Sequence, residues 1–432
     1  MKRFTFAFCT GASFAEIALA IPIAKELNTN GHSVVFITSE KQKKLVLEQG
    51  FLFESFFPDR FPKLRKEPKT MTMSTFFFLL TRFKQLIKRY QYDLVKDYNQ
   101  SLEILSKYSP KMVYIGGAAH YFLPIVLAAE KLGIPWATGF RYPQFNVEAE
   151  YYFHGFPVPT TSYEKIRFKL LSFLLMSPLL SFMRTSLNYI IEKTFPSSKI
   201  RWSEIQCSPY LHLIQTAQEF DFPRRLLLPQ MHYIGPCLFD KPLAGLSPPD
   251  WVQKLPLDLP LIFVGTSTTG MTLEKVKIFL GTVIEAFYGL NCSVIFASPA
   301  LAAEQNIALP SQNFHAASFI PITSLIHKID CIIHMGGWGI THYALTEGVP
   351  QIIIPRWADN FMNARRCIEQ GVGLSIELKK LTAQKLREAY RNISENPSYK
   401  NSSERWKIIF QSYQREKQAA KLMLELVNHE IK

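Results

Sequence analysis

The chain has 432 residues, with 49 Lys+Arg against 35 Asp+Glu and a formal charge of +14. That length exceeds what one hydrophobic core usually organises, so two domains are expected. Hydrophobic residues make up 47% and charged residues only 19%, which excludes a mainly disordered chain and a coiled coil.

The opening segment MKRFTFAFCTGASF carries a short apolar run that reads as a strand. It is too short for a signal peptide and lacks a cleavage pattern. Further strands are expected at Ser33–Thr38, Met112–Gly116 and His212–Gln215, and in the second half at Leu261–Gly265, Ser293–Ala297, Cys331–His334 and Gln351–Pro355. The first of the series is Phe4–Cys9. Helical periodicity covers Ile17–Asn28, Tyr121–Leu132, Leu273–Tyr288, Ile340–Glu347 and Asn360–Gln370. Continuous apolar strands alternating with helices predict parallel sheets covered on both faces, and two such series predict two doubly wound α/β domains.

A first domain over 1–240 is expected, with aromatic, basic, irregular insertions at about 51–108 and 151–200. The Pro-, Gly- and Ser-rich stretch Asp240–Asp250 reads as the linker, 241–250, before a second domain at 251–405. The segment 406–432 has the pattern of a closing helix, clearest over Lys407–Val427.

Charge is concentrated. Between Asp59 and Tyr98 stand ten Lys/Arg against four Asp/Glu, and between Lys379 and Lys421 eleven against four. Such runs are solvated helical faces or attract phosphate-rich partners. No nucleic-acid recognition module accompanies them, so nucleic acid is not an expected partner. Phe76-Phe77-Phe78 followed by Arg82, Lys84, Lys88 and Arg89, and the stretch Phe168–Tyr189, mix apolar and basic residues at helical spacing. Such helices line an apolar pocket, pack in the core, or lie on an anionic membrane. The apolar stretch Leu170 to Met183 contains Pro178 and is too short to cross a bilayer. The expected class is a cytoplasmic enzyme with peripheral contact at the inner membrane face. Six scattered Cys, without paired spacing or clustering with His, argue against metal and redox sites.

One segment concentrates the chemistry: Ile332-Ile-His334-Met-Gly336-Gly337-Trp-Gly339-Ile-Thr341-His342, followed by Gly348-Val-Pro350 and Pro355. A strand runs through a glycine-rich turn into a helix, and free N–H groups at a helix start favour an anion. The glycines also suit a plain tight turn, and spacing alone leaves both readings open.

The longer pattern HMGGWGITHYALTEGVPQIIIPRWADNFMNARRCIEQGVGL resembles the nucleotide-diphosphate-binding signature of family 1 glycosyltransferases, in the bacterial branch acting on macrolides, glycopeptides and other hydrophobic acceptors. Gly31-His32, Tyr233-Ile-Gly-Pro236 and Phe263-Val-Gly-Thr266-Ser267 resemble further family landmarks. The resemblance is strong over about 230–400 and weak before. It implies the GT-B architecture: two Rossmann-like domains facing a cleft, acceptor on the first and donor on the second, with a C-terminal helix crossing back to the first.

The resemblance places His334 on the donor diphosphate, with backbone N–H groups of Gly336, Gly337 and Gly339. It puts Thr266 and Ser267 on the phosphates from the opposite loop, Phe319 on the base, and Asp359 and Asn360 on sugar hydroxyls. A hexose would move from a UDP- or dTDP-sugar to an acceptor hydroxyl with inversion, the sugar nucleotide being a co-substrate with no cofactor and no metal. Departures weaken parts of this: Ile322 stands where the family has Gln, Tyr343 where it often has a ribose-binding Glu, and the usual Gly-His base after the first strand is absent. Family spacing lands instead on Glu16, which reads either as the base or as a carboxylate complementing a helix dipole. His120 is the second candidate base. A non-catalytic nucleotide-sugar- or lipid-binding protein keeping this fold is the alternative, and His342 is expected to pack behind the glycine loop.

Overall fold

The computed structural model describes residues 3–56, 73–117, 122–141, 161–171, 177–201, 207–223, 227–239, 249, 251–252, 255–256, 258–266, 271–303, 309–356 and 359–429. The chain divides into two compact units, one holding the residues up to Phe239 and again from Gln414, the other the stretch closing at Tyr413. Of the linker expected at 241–250, only Pro249 lies among the described residues.

The first unit is built on a sheet of β1 (Thr5–Thr10), β2 (Ser33–Thr38), β3 (Leu52–Ser55), β4 (Met112–Gly116), β5 (Trp136–Phe140), β6 (Leu211–Ile214) and β7 (Met231–Tyr233). Their order is β3-β2-β1-β4-β5-β6-β7, and every pairing is parallel. Successive side chains of a strand point to opposite faces. Ala7, Cys9, Val35, Ile37, Val113 and Ile115 therefore enter one core, and Phe6, Phe8, Val34, Phe36, Met112 and Tyr114 the other. Helices α1 (Phe14–Thr29) and α2 (Lys43–Glu48) contribute to the second layer, whereas α3 (Met73–Tyr108), α4 (Leu123–Lys131) and α6 (Ser177–Thr194) contribute to the first. Between α4 and α6 in sequence lies α5 (Ser162–Leu171).

The expectation of irregular insertions at 51–108 and 151–200 is corrected for the described residues. The former supplies edge strand β3 and the 36-residue helix α3, which packs on α4 and α6. Leu86, Tyr90, Leu94, Ser101 and Leu105 form its buried stripe, at the spacing of one helix face. The aromatic and basic composition masked that stripe, and a buried Arg89–Asp97 pair at 3.0 Å runs along it. In the latter, α6 buries Met183, Leu187, Ile190 and Ile191.

The second unit has β8 (Leu261–Gly265), β9 (Ser293–Ala297), β10 (Phe314–Ala317), β11 (Cys331–His334), β12 (Gln351–Ile353) and β13 (Gly373–Ser375), all parallel, in the order β10-β9-β8-β11-β12-β13. Helices α7 (Leu273–Phe287), α8 (Trp338–Glu347), α9 (Asn360–Glu369), α10 (Ala383–Glu395) and α11 (Pro397–Ser412) flank it, with α7 against α10 and α8 against α11.

The single closing helix expected over 407–427 is two helices. After α11 ends at Ser412 the chain turns, with Arg415 at φ 48°, into α12 (Arg415–His429). A non-glycine residue in the left-handed region cannot continue a right-handed helix. Only α12 belongs to the first unit, where Ala419, Ala420, Met423 and Val427 complete the core around α1.

Candidate functional site

In open parallel sheets ligands gather beyond the carboxyl ends of the strands, where the strand order reverses. In the second unit the reversal lies between β8 and β11. Cross-strand pairs Gly265–His334, Gly265–Ala297, Ala297–Ala317 and His334–Ile353 mark one continuous carboxyl edge. Thr266 follows β8, the glycine loop follows β11, Phe319 follows β10, and Asp359-Asn360 comes after β12. The topology thus gathers on one edge residues scattered over nearly a hundred positions. Ser267 lies outside the described residues.

Thr266 and Phe319 are both half-buried. Thr266 Oγ1 donates to Ser298 Oγ at 2.7 Å, so the loop after β8 is tied to the end of β9. Asp359 and Asn360, at the start of α9, are buried. The Asn360 carbonyl lies against Gly336, where a Cβ would meet it at 2.9 Å. Gly336 also has φ 79°, a conformation most residues resist.

His334, expected on the diphosphate, is engaged within the chain on both ring nitrogens. Its ring has no accessible surface. Nδ1 accepts the Gly336 N–H at 3.0 Å, which leaves the proton on Nε2 to be donated to Gln351 Oε1 at 2.8 Å. Burial lowers its pKa from 6.5 to about 4, against a smaller raising effect of the Gln351 bond, so at neutral pH the imidazole is uncharged. Gly336 likewise spends its N–H internally. Gly337 and Gly339 are half-buried rather than buried, and residues in the first turn of a helix have no intrahelical acceptor for their N–H groups. His342 packs behind the loop: its ring stacks on Trp338 at 4.2 Å and Nδ1 donates to the Trp338 carbonyl at 2.8 Å.

The first unit reverses strand order between β1 and β4, and Glu16 sits there on the first turn of α1. Its carboxylate fills the space that side chains at Gly11 and Gly117 would need. Ser13 Oγ donates to Glu16 Oε2 at 3.0 Å. Desolvation raises the Glu16 pKa, and it outweighs the lowering effects of the Ser13 hydrogen bond and the Arg141 charge. The loop is held from below by Gln42 Nε2 donating to the Ala12 carbonyl at 2.8 Å and Thr38 Oγ1 to the Gly11 carbonyl at 3.2 Å. His120 lies outside the described residues.

Sequence reasoning missed Ser13 and Arg141 beside Glu16, and Gln351 and Asn363 behind the glycine loop. Arg141 had no local signal, since only the end of β5 brings it near. Asn363 stood in the quoted Asp359-Asn360-Phe-Met-Asn363-Ala pattern, yet nothing there said that its amide reaches Gly336.

A family model described as erythromycin biosynthesis protein CIII-like, C-terminal domain, matches residues 282–412. The chain is 21% identical over 388 residues to 4'-demethylrebeccamycin synthase of Lentzea aerocolonigenes, covering 88% of this chain and 89% of that one. It is 25% identical over 426 residues to a sterol 3-beta-glucosyltransferase of Debaryomyces hansenii, covering 89% of this chain but 24% of that one. Among solved structures, glycosyltransferase VinC in complex with dTDP aligns with a TM-score of 0.73 at 19% identity, covering 98% of this chain and 100% of that one. Glycine loop, matched domain and full-length relative agree in supporting a bacterial glycosyltransferase of family 1, and the chain has the GT-B fold.

Proposed function

We propose that the chain moves a hexose from a UDP- or dTDP-sugar to a hydroxyl of a hydrophobic acceptor, with inversion and without a metal. The observation that carries this reading is the Glu16 carboxylate, held at the strand-order reversal of the first unit with its proton affinity raised by burial. Glu16 takes the acceptor hydroxyl proton as the oxygen attacks the anomeric carbon. The bond to the diphosphate breaks, and the charge left on its oxygen is stabilised by the N–H groups of Gly337, Trp338 and Gly339 together with Thr266. Phe319 stacks on the base, and Asp359 with Asn360 grips the sugar hydroxyls.

A solved VinC complex holds dTDP, which supports a thymidine donor. Relatives named for rebeccamycin and sterol chemistry support a large apolar acceptor. Incubation with UDP- and dTDP-glucose and a panel of sterol and polyketide alcohols, read by product mass, tests the reading. Glycoside formation by the wild-type chain and its loss in Glu16→Gln are expected. Full turnover by that variant removes Glu16 from the mechanism.

A membrane-facing role for α5 extends this reading. Tyr163, Ile166 and Leu170 are exposed large apolar residues on one helix face, with exposed Arg167 among them. From Ser162 to Arg201 seven Lys/Arg face two Asp/Glu. Exposed apolar residues rimmed by positive charge suit an anionic bilayer surface. The side chains of Phe76, Phe77 and Phe78 lie outside the described residues, and no described helix is long and apolar enough to cross a membrane. Flotation with vesicles of phosphatidylserine and phosphatidylcholine tests the idea, and equal flotation with and without the anionic lipid ends it.

A further inference from the structure

Three side chains with no accessible surface converge behind the glycine loop: His334, Gln351 and Asn363. They come from the end of β11, the start of β12 and the first turn of α9, and they act on one residue. Gly336 N–H is taken by His334 Nδ1 at 3.0 Å, and Gly336 C=O accepts from Asn363 Nδ2 at 2.8 Å. Gln351 decides which nitrogen of His334 is free to accept. Its Oε1 takes the Nε2 proton at 2.8 Å, and its own Nε2 donates to the Thr341 carbonyl at 3.4 Å, which fixes the amide the right way round. Every polar atom in this relay has a matching partner.

The peptide joining Gly336 to Gly337 is trans. In a trans peptide the C=O and the following N–H point in opposite directions. Asn363 draws the Gly336 carbonyl inward, towards α9, so the Gly337 N–H is turned the other way. Gly337 is the first residue of the loop to regain solvent exposure after buried Met335 and Gly336, and among the described residues its N–H meets no acceptor.

We infer that Gln351 and Asn363 are positioning residues for the donor phosphates, aiming the Gly337 N–H outward by holding both polar groups of Gly336. The inference rests on the donor-site reading above and divides the glycines by role: Gly336 is structural, and Gly337 with Gly339 donates to the ligand. It also gives the buried His334 a task that requires a neutral ring in one tautomer.

Two measurements test it. In wild-type protein labelled with 15N-glycine, addition of dTDP or UDP is expected to move the Gly337 and Gly339 amide resonances and leave Gly336 in place, with Gly336 slow in hydrogen exchange. Asn363→Ala is expected to bind the same nucleotide about tenfold more weakly, the scale of one misdirected hydrogen bond to a charged group. Gln351→Ala is expected to do the same while the 15N signature of the His334 ring loses its single Nε2–H form. A Gly336 resonance that moves with the nucleotide or exchanges freely overturns the inference, as does wild-type affinity in a folded Asn363→Ala. Should the variants fail to fold, the wild-type spectra decide. Binding of neither nucleotide by the wild-type chain overturns the donor-site reading, and the inference with it.

Discussion

Ser13 Oγ donates a 3.0 Å hydrogen bond to Glu16 Oε2 three residues along, across the first turn of α1. The bond lowers the Glu16 pKa, as does Arg141, but burial has the larger effect and leaves the carboxyl above its ordinary 4.5. Glu16 is thus a carboxylate with strengthened affinity for a proton, the property a base near neutrality needs. Glu16→Gln is expected to reduce kcat/KM for sugar transfer by between about a hundredfold and ten-thousandfold, with donor binding by calorimetry unchanged.

The same variant has a stability signature. A carboxyl whose folded pKa exceeds its unfolded value makes the fold lose stability as pH rises through 4.5 towards the folded value. Gln carries no such penalty. The Tm of Glu16→Gln is therefore expected to exceed that of the wild type at neutral pH, and the gap to close below 4.5. Thermal melts across that range check it, and a constant gap contradicts it.

Arg141 favours the ionised form of Glu16 from a position 125 residues away in sequence. Replacing it by Gln removes that attraction, so the ascending limb of the pH profile of kcat/KM is expected to move to higher pH. A limb that stays in place shows that Glu16 is not the group being titrated.

His334 works in the opposite sense. Its folded pKa of about 4 lies below the ordinary 6.5, so the stability it contributes is full above 6.5 and is lost as pH falls from there towards 4. The difference amounts to on the order of 3 kcal/mol. His334→Gln is expected to flatten that part of the acid limb relative to wild type in denaturant titrations at several pH values.

Gly336→Ala meets two obstacles. A left-handed backbone costs an L-residue about 1–2 kcal/mol, and the added Cβ would lie 2.9 Å from the Asn360 carbonyl and from Ile353 Cγ2. A lower Tm and loss of dTDP and UDP binding are expected together. Gly281, on α7 with open space around its Cβ, provides the control: Gly281→Ala is expected to leave binding unchanged.

The central strands were legible because both faces are covered, so β1, β2, β4, β8, β9 and β11 appear as unbroken apolar runs. Strands that escaped notice lack that signal. Leu52-Phe-Glu-Ser55 is half exposed at a sheet edge, Met231-His-Tyr233 and Gly373-Leu-Ser375 are three residues long, and Phe314-His-Ala-Ala317 is only partly buried. In β5, Thr138-Gly139 breaks the run for a reason visible only in three dimensions: a side chain at Gly139 would collide with the Tyr114 hydroxyl. The glycine loop could be located from its pattern, but not the direction of its groups. The pattern placed His334 beside the phosphates but gave no sign of its partner Gln351, 17 residues on, or of Asn363, 27 residues beyond Gly336. Chain order conveys which residues follow one another, whereas hydrogen-bond direction depends on partners that only the packed sheet assembles.

The return of α12 bears on how the protein is made. Ala419, Ala420, Met423 and Val427 are buried in the core shared by α1, β1 and β2, so the unit begun first is finished last. During synthesis the apolar side of α1 stays uncovered while the entire second sheet is being translated, and a chaperone would have its longest opportunity there. Mutations near residue 420 should lower yield through the opening half of the polypeptide rather than through the half in which they are encoded.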